Sequence, residues 1–302
     1  MRAFLLAALL CSGCAENPSA AVEVELVGLG GATAGLRGDT FIHHELGATV
    51  DLWSLAYRLG KAWAVGAGGA IFHSTDAGQH WVAQTSGTDA RLERVAFSDD
   101  DNGIAIGELG AILTTHDGGA SWIQMPASGK EFPTAAVANG TSWWVGSANG
   151  GLFRSSDGAK TFQKQSVPDG VFRAIRFTSD GKIGVAVGDG GVVIRTVDGG
   201  ETWVSQPKAP EDLAAIDLAP GRAVAVGKHG LVWQSSDAGT TWGAVAVEVT
   251  TDLYDVAFAG GANDLWIVGQ NGVVLHAAGS GALGAVVNPT ATTFTAVART
   301  SP

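Results

Sequence analysis

The sequence predicts an all-β chain wound into a seven-bladed β-propeller, with a six-bladed ring as the alternative. Three observations carry that prediction. Five segments are spelled to one rule, a hydroxyl residue, any residue, Asp, two positions rich in Gly, two further residues and an aromatic: Ser74 to Trp81, Thr115 to Trp122, Ser155 to Phe162, Thr196 to Trp203 and Ser235 to Trp242. Six apolar runs end in Val-Gly or Ile-Gly, at Gly66, Gly107, Gly146, Gly188, Gly227 and Gly269. Both markers recur about every 40 residues, the length of one four-stranded blade. Finally, the two chain ends are complementary fragments of the repeat. Residues 22–28 alternate like a strand and end in Val27-Gly28 but lack the strand that opens every other copy, whereas residues 294–298 match an opening strand and then the chain stops.

Each position of the aspartate rule has a mechanical use at a hairpin. The carboxylate accepts backbone N–H bonds from the residues that follow, and Gly tolerates the positive φ of a tight reversal. The aromatic packs beneath the turn as the next strand begins, and the hydroxyl pins the strand before it. The segments resemble the Asp-box, or BNR repeat, of the sialidase-like β-propellers. That resemblance places Asp76, Asp117, Asp157, Asp198 and Asp237 in turns between the third and fourth strands of their blades, in a structural role, on the face opposite the one where propellers bind ligands.

In chain order, residues 1–14 read as an export signal. Arg2 supplies the positive start, an apolar core follows, and Cys11-Ser12-Gly13-Cys14 supplies small residues at a cleavage site. The site resembles a bacterial lipobox, with Cys14 as the lipidated residue and residues 15–21 as a tether; an ordinary secretory signal is the alternative. Residues 22–302 form one propeller domain. Its six complete copies open with strands at Leu52, Leu92, Phe132, Phe172, Leu213 and Leu253. The sixth lacks the aspartate turn, so a looser hairpin is expected near residues 277–281, and Asp39 falls near the place of a lost one. The seventh blade is expected to close by pairing residues 293–299 with residues 22–27, which removes the open edges of the sheet.

Composition narrows the function classes. Gly contributes 44 of 302 residues but is spread at blade spacing, which signals turns and not disorder. Ten Trp, eleven Phe and only 16% charged residues provide for a large core. A net charge of −11 without any basic run argues against nucleic acid, whose binding needs clustered Lys and Arg. With Cys11 lost with the signal and Cys14 lipidated, no thiol pair remains for a disulfide. A monomer without cofactor is expected.

Binding is sought where the copies differ: the starts of the first strands and the turns after each Val-Gly. The candidates are Trp53, Glu93, Arg94, Arg173, Asp189, Lys228, His229, Tyr254 and Asp255, within a wider set that adds Glu108, Lys130, Glu131, Asp212, Gln270 and Asn271. Charges of both signs around one mouth suit a polar or peptide ligand. No catalytic residue is assigned. A sialidase-like site would need three arginines, a Tyr activated by a Glu and an acidic Asp. Arg94, Arg173, Arg176, Tyr254, Glu93 and Asp255 could supply them, but the Arg-Ile-Pro signature of that family is absent. Paired carboxylates such as Glu108 and Asp189 keep a glycosidase open as the alternative. No metal site is expected. His43 and His44 are neighbours on a strand and point to opposite faces, and the other histidines lack ligand spacing. Gly188-Asp189-Gly190-Gly191 opens no helix and reads as a hairpin turn.

First strand, Val-Gly turn and aspartate turn together, as in residues 184–203, are similar over nearly the whole chain to the photosystem II assembly and stability factors of chloroplasts and cyanobacteria. The resemblance implies a non-enzymatic scaffold that holds a protein partner, in that family a newly made membrane-protein subunit, and some cyanobacterial members are lipoproteins. It implies export and lipid anchoring to the bacterial cell envelope, at the outer membrane or in the periplasm, with a secreted form as the alternative. The family's basic patch has no counterpart beyond Arg94, Arg173 and Arg176.

Overall fold

A computed structural model describes residues 23–125, 132–279 and 281–300. The export signal, the tether, Cys14, Val22, Lys130 and Glu131 lie outside the described residues. Seven four-stranded antiparallel sheets make up the chain, which settles the blade number against six. Blades 1 to 6 open with first strands Leu52–Arg58, Leu92–Phe97, Pro133–Asn139, Phe172–Phe177, Leu213–Ala219 and Leu253–Phe258. Each first strand touches those of the two neighbouring blades, and the series closes on itself.

Blade 7 is made from both ends of the chain. Its first strand is the tail, Phe294–Arg299, and its second, third and fourth are Val24–Gly28, Ala32–Arg37 and Thr40–Glu45. Val24 pairs with Arg299 and Leu26 with Val297 in an antiparallel ladder. The expected closure is therefore present. Asp39 lies in the turn between the third and fourth strands of this blade, where the other blades carry their aspartates.

Seven apolar clusters fill the seven junctions between blades. Between blades 1 and 2, for example, Trp63, Val65 and Ile71 meet Leu92, Val95, Leu113 and Trp122. Trp63, Trp144 and Trp266 are fully buried on second strands. Trp63 Nε1 donates to the Gly118 carbonyl of the next blade at 2.9 Å. Glu25 occupies the corresponding place in blade 7 and is also fully buried. Its carboxylate accepts from His44 Nδ1 at 2.9 Å. Burial pushes the Glu25 carboxyl up, against the pull of His44.

The glycines of the Val-Gly marker are needed for space. Gly107 and Gly188 have extended backbones, with φ of −170° and 177°. A Cβ there would lie 2.0 Å from the Arg91 carbonyl and 1.9 Å from the Val171 carbonyl, closer than any side chain can approach. Blade 3 corrects the sequence reading by one residue. Pro133 pairs with Ser147, so Ser147 and not Gly146 stands at this place, and Phe132 falls outside the first strand. Phe132 had been aligned with the buried Phe172 because both are large and apolar. Proline, which lacks an N–H, is tolerated as the first residue of a strand and marks the true start.

The five aspartate turns share one hydrogen-bond plan. In blade 2, Thr115 Oγ1 donates to Asp117 Oδ1 at 2.8 Å and accepts the Gly119 N–H at 2.8 Å. The Ser121 N–H and Oγ–H donate to the two oxygens of Asp117 at 2.9 and 2.6 Å. The same four groups recur around Asp157, Asp198 and Asp237. Around Asp76, the His80 ring replaces the hydroxyl. Both residues after each Asp are left-handed, as at Gly118 (φ 69°) and Gly119 (φ 86°), which explains the Gly-rich pair. A Cβ at Gly200 would also lie 2.3 Å from the Trp144 ring of the preceding blade. The turns rest on the first hairpin of their own blades through bonds such as Gly118 N–H to the Asp101 carbonyl at 2.9 Å. They therefore share the face of those hairpins, opposite the starts of the first strands. The hairpin of blade 6 has no aspartate and is held by the Gly281 N–H to the Ala278 carbonyl at 3.1 Å.

Two measurements check this account. Deleting residues 293–302 removes one strand of the closing blade, and a sharp fall in Tm is expected; an unchanged melting curve would contradict the closure. Hydrogen bonds from Ser121 hold the Asp117 carboxyl down at about 2, below its ordinary 3.8. A carboxylate depressed by folding contributes stability that is complete above its unfolded pKa and is lost as pH falls through the folded one. Asp117→Asn should therefore lower Tm at neutral pH and flatten the decline of Tm between pH 3.8 and about 2. Parallel wild-type and variant profiles would show that the carboxylate contributes nothing.

Candidate functional site

Every blade carries a β-bulge at one and the same place. Pairing between first and second strands shifts register between Leu52 and Ser54, Leu92 and Arg94, Pro133 and Ala135, Phe172 and Ala174, Leu213 and Ala215, and Leu253 and Asp255. Blade 7 does the same opposite Gly28. The extra residue is the second of each first strand: Trp53, Glu93, Thr134, Arg173, Ala214, Tyr254 and Thr295. A bulge leaves its residue out of the ladder and re-aims its side chain. The seven bulges form a ring at one mouth of the central channel: Trp53, Glu93, Arg173, Ala214 and Tyr254 stay partly exposed there, whereas Thr134 and Thr295 are buried and donate to the Phe172 and Leu52 carbonyls of the next blade at 2.6 Å each.

Four of the seven, Trp53, Glu93, Arg173 and Tyr254, are binding candidates from the sequence, and the bulges, which the sequence does not reveal, bring them to one end of the ring. Trp53, Arg173 and Tyr254 line its narrow part, a space of about 50 Å³ shared with Arg94 and Asp255. Six of the seven turns after the second strands are short 3-10 turns, and they surround this mouth. Asp189 lies in one of them, where both its oxygens take the Arg173 fork, Nε at 2.8 Å and Nη2 at 2.7 Å. That contact is the first cause of the raised Arg173 pKa. Lys228 Nζ reaches Asp212 at 2.5 Å, and His229 Nδ1 lies 3.5 Å from Glu211. Arg91, which sequence reasoning missed, lies over the Trp53 ring at 5.3 Å and bridges Glu93 and Glu108. Only its place just before a first strand could have signalled it.

Arg94 and Asp255 lie deeper, one residue further along their strands. Asp255 is occupied in binding blades together: it accepts the N–H of Val256 and, across the junction, of Val297 at 3.0 Å. Asp217 accepts the Phe258 N–H in the same way at 2.8 Å, and Ser54 Oγ accepts the Val95 N–H at 3.2 Å. Burial raises the pKa of Asp255 and Asp217 against the pull of Arg176, and burial lowers that of Arg94. Arg176 and Asp217 keep 39% and 22% of their side-chain surface accessible. Both groups line the wider part of the channel.

Beyond this charged level the channel widens toward the aspartate-turn face into a cavity of about 710 Å³, lined by Tyr57, Phe97, Arg176, Phe177, Asp217 and Phe258 among others. The larger space is therefore at the mouth that sequence reasoning set aside. Of the six residues considered for sialidase-like chemistry, Arg173 is engaged with Asp189 at the rim, and Arg94, Arg176 and Asp255 form the inner level. Glu108 and Asp189 belong to the turns of blades 2 and 4. His44 is bonded to Glu25 and not to His43. Among the described residues no group of three His, Cys, Asp or Glu could hold a metal ion.

A family described as photosynthesis system II assembly factor YCF48 matches residues 39–116. The photosystem II assembly lipoprotein Ycf48 of a Nostoc species is 26% identical over 170 residues, which cover 50% of this chain and 47% of that protein. The chain thus spans about half the length of this curated relative. The solved structure of YCF48 bound to D1 peptide aligns with a TM-score of 0.64 at 24% identity, covering 80% of this chain and 82% of that one. YCF48 from Cyanidioschyzon merolae aligns with a TM-score of 0.63 at 16% identity, covering 80% and 86%. The chain is a seven-bladed β-propeller that resembles the Ycf48 assembly factors of photosystem II.

Proposed function

We propose that this chain is a non-enzymatic scaffold that holds a protein partner at the narrow mouth. The ring of bulges carries this reading, because it leaves five partly exposed side chains of differing chemistry, Trp53, Glu93, Arg173, Ala214 and Tyr254, around one opening while the frame beneath them repeats. The two faces also differ in what they have to offer. On the aspartate-turn face, the carboxylates and hydroxyls of the turns themselves are spent on internal bonds, and Arg58 with Asp100 is an exposed ion pair there. At the narrow mouth, Arg173, Lys228 and Arg91 form partly exposed ion pairs, which solvent screens and which are readily exchanged for charges of a partner. A frame fixed by closure presents its loops already ordered, so little conformational entropy is lost on binding.

Ycf48 has been solved with a D1 peptide. The likeness to it supports a protein partner here, and a membrane protein fits an anchored scaffold. In this reading Cys14 carries lipid and ties the propeller to the bacterial cell envelope by residues 15–21. The Nostoc relative is a lipoprotein, which supports the anchor.

Affinity capture from solubilised membranes tests the face. Wild type should retain proteins that an Arg173→Glu, Tyr254→Ala variant of unchanged Tm loses; identical sets from both would rule the face out. Palmitate labelling in the expressing bacterium tests the anchor. Label is expected on wild type and not on Cys14→Ala, and unlabelled wild type would contradict lipidation.

A further inference from the structure

At the narrow mouth each turn after a second strand meets the chain entering the next blade. At four junctions the meeting is a hydrogen bond. The N–H groups of Gly30, Gly190, His229 and Asn271, each in the middle of its turn, donate to Asp51, Asp212, Asp252 and Thr293 at 2.8, 2.7, 3.1 and 3.1 Å. The acceptor in each case is the residue just before the next first strand.

Between blades 2 and 3 these two places are held by Leu109 and Phe132, and Phe132 has no side-chain acceptor to offer. Gly110 and Pro133, the residues that follow them, line one small cleft. Leu109 and Phe132 thus hold, on this rim, the two places that are bonded to each other at the four junctions above, and they are 80% and 46% exposed. Leu109 is also left-handed, with φ 57° and ψ 21°. The matching residues are Gly30, Gly68, Gly190, His229 and Asn271, types that accept this conformation more readily. Glycine would serve the turn better, and burial does not explain the leucine. Leu59 is also left-handed and exposed, so the case for use rests on the place of Leu109 at the narrow mouth, across the junction from an exposed Phe132. Next to the pair, Arg91 Nη2 is shared between Glu93 at 2.7 Å and Glu108 at 2.9 Å. One cation faces two carboxylates, on a chain whose net charge is −11.

We propose that Leu109 and Phe132 form a docking site for an extended segment of a partner protein that carries apolar side chains next to Lys or Arg. The apolar side chains cover the exposed pair, and the cation takes the carboxylate charge that Arg91 leaves unbalanced at the half-exposed Glu108, since Glu93 also lies in the field of Arg94 and Arg173. The acidic surface steers such a segment toward the rim. This site deepens the reading of the narrow mouth as the binding face and rests on it.

Random dodecapeptides displayed on phage are selected on the wild-type protein, and affinities of the enriched peptides are measured by fluorescence polarisation. Enrichment of apolar residues beside Lys or Arg is expected. Leu109→Gly should weaken binding about tenfold or more, as truncation of an anchoring residue does. Its Tm should hold or rise, because Gly suits a positive φ. Leu59 provides the control: it is left-handed (φ 47°) and 61% exposed, but lies in the first hairpin of blade 1 on the opposite face. Leu59→Gly should likewise keep its Tm and leave affinity unchanged. Glu108→Lys should weaken the basic peptides. No enrichment, an acidic consensus, or affinity indifferent to Leu109→Gly would overturn the proposal. Peptides lost with Arg173→Glu but kept by Leu109→Gly would overturn it while leaving the binding face intact.

Discussion

The ladder between Phe294–Arg299 and Val24–Gly28 is the constraint on which the ring depends. Each blade buries its two faces against two neighbours, so an open arc would expose an apolar face at either end. The closing blade removes both. It is further tied to blade 1 by Thr295 Oγ1 to the Leu52 carbonyl at 2.6 Å, and to blade 6 by Asp255 to the Val297 N–H at 3.0 Å. On the rim of the latter junction His276 lies between Asp39 and Asp264, at 3.2 and 3.1 Å, with its ring stacked on Trp266. Buried polar groups are costly unless paired, and in this chain several of them are spent where blades meet.

Closure also determines how the two faces can act. The first strands are fixed around the axis, and the bulge near the start of each leaves its second residue out of the ladder. Sequence differences at Trp53, Glu93, Arg173, Ala214 and Tyr254 thereby become differences around a single opening, while Thr134 and Thr295 bond to the next blade. On the other face, the same regularity is spent on turns whose carboxylates, hydroxyls and glycines serve one another. The cavity of about 710 Å³ on that side is walled by small residues such as Ala96, Ala136 and Ala257 together with Tyr57, Phe97, Phe177 and Phe258, and Arg176 and Asp217 are part of its lining.

Local features were legible in the sequence. Asp117 with its glycines, Gly107 with its crowding, and the complementary fragments at the two ends are each written in consecutive residues, and their period supplied the architecture. What escaped was set by neighbours distant in sequence. Asp255 looked like a rim residue, because nothing near it in sequence reveals the Val297 N–H. Arg91 has its partners in Glu93 and Glu108, which meet only once the strand and the turn are folded together. Glu25 reads as the polar partner in an alternating strand, and only its place beneath Gly78 of blade 1 shows it to be buried. In blade 3 the misleading signal was local: Phe132 imitates an opening residue, whereas Pro133 is one.

Hydrogen exchange read by mass spectrometry on the tail reaches the central claim most directly. If the tail completes the ring, the amides of residues 294–299 exchange only through global unfolding, with protection equal to that of Leu52–Arg58 in blade 1. Exchange of the tail at the rate of an unpaired chain end, with blade 1 still protected, would contradict the closed seven-bladed ring.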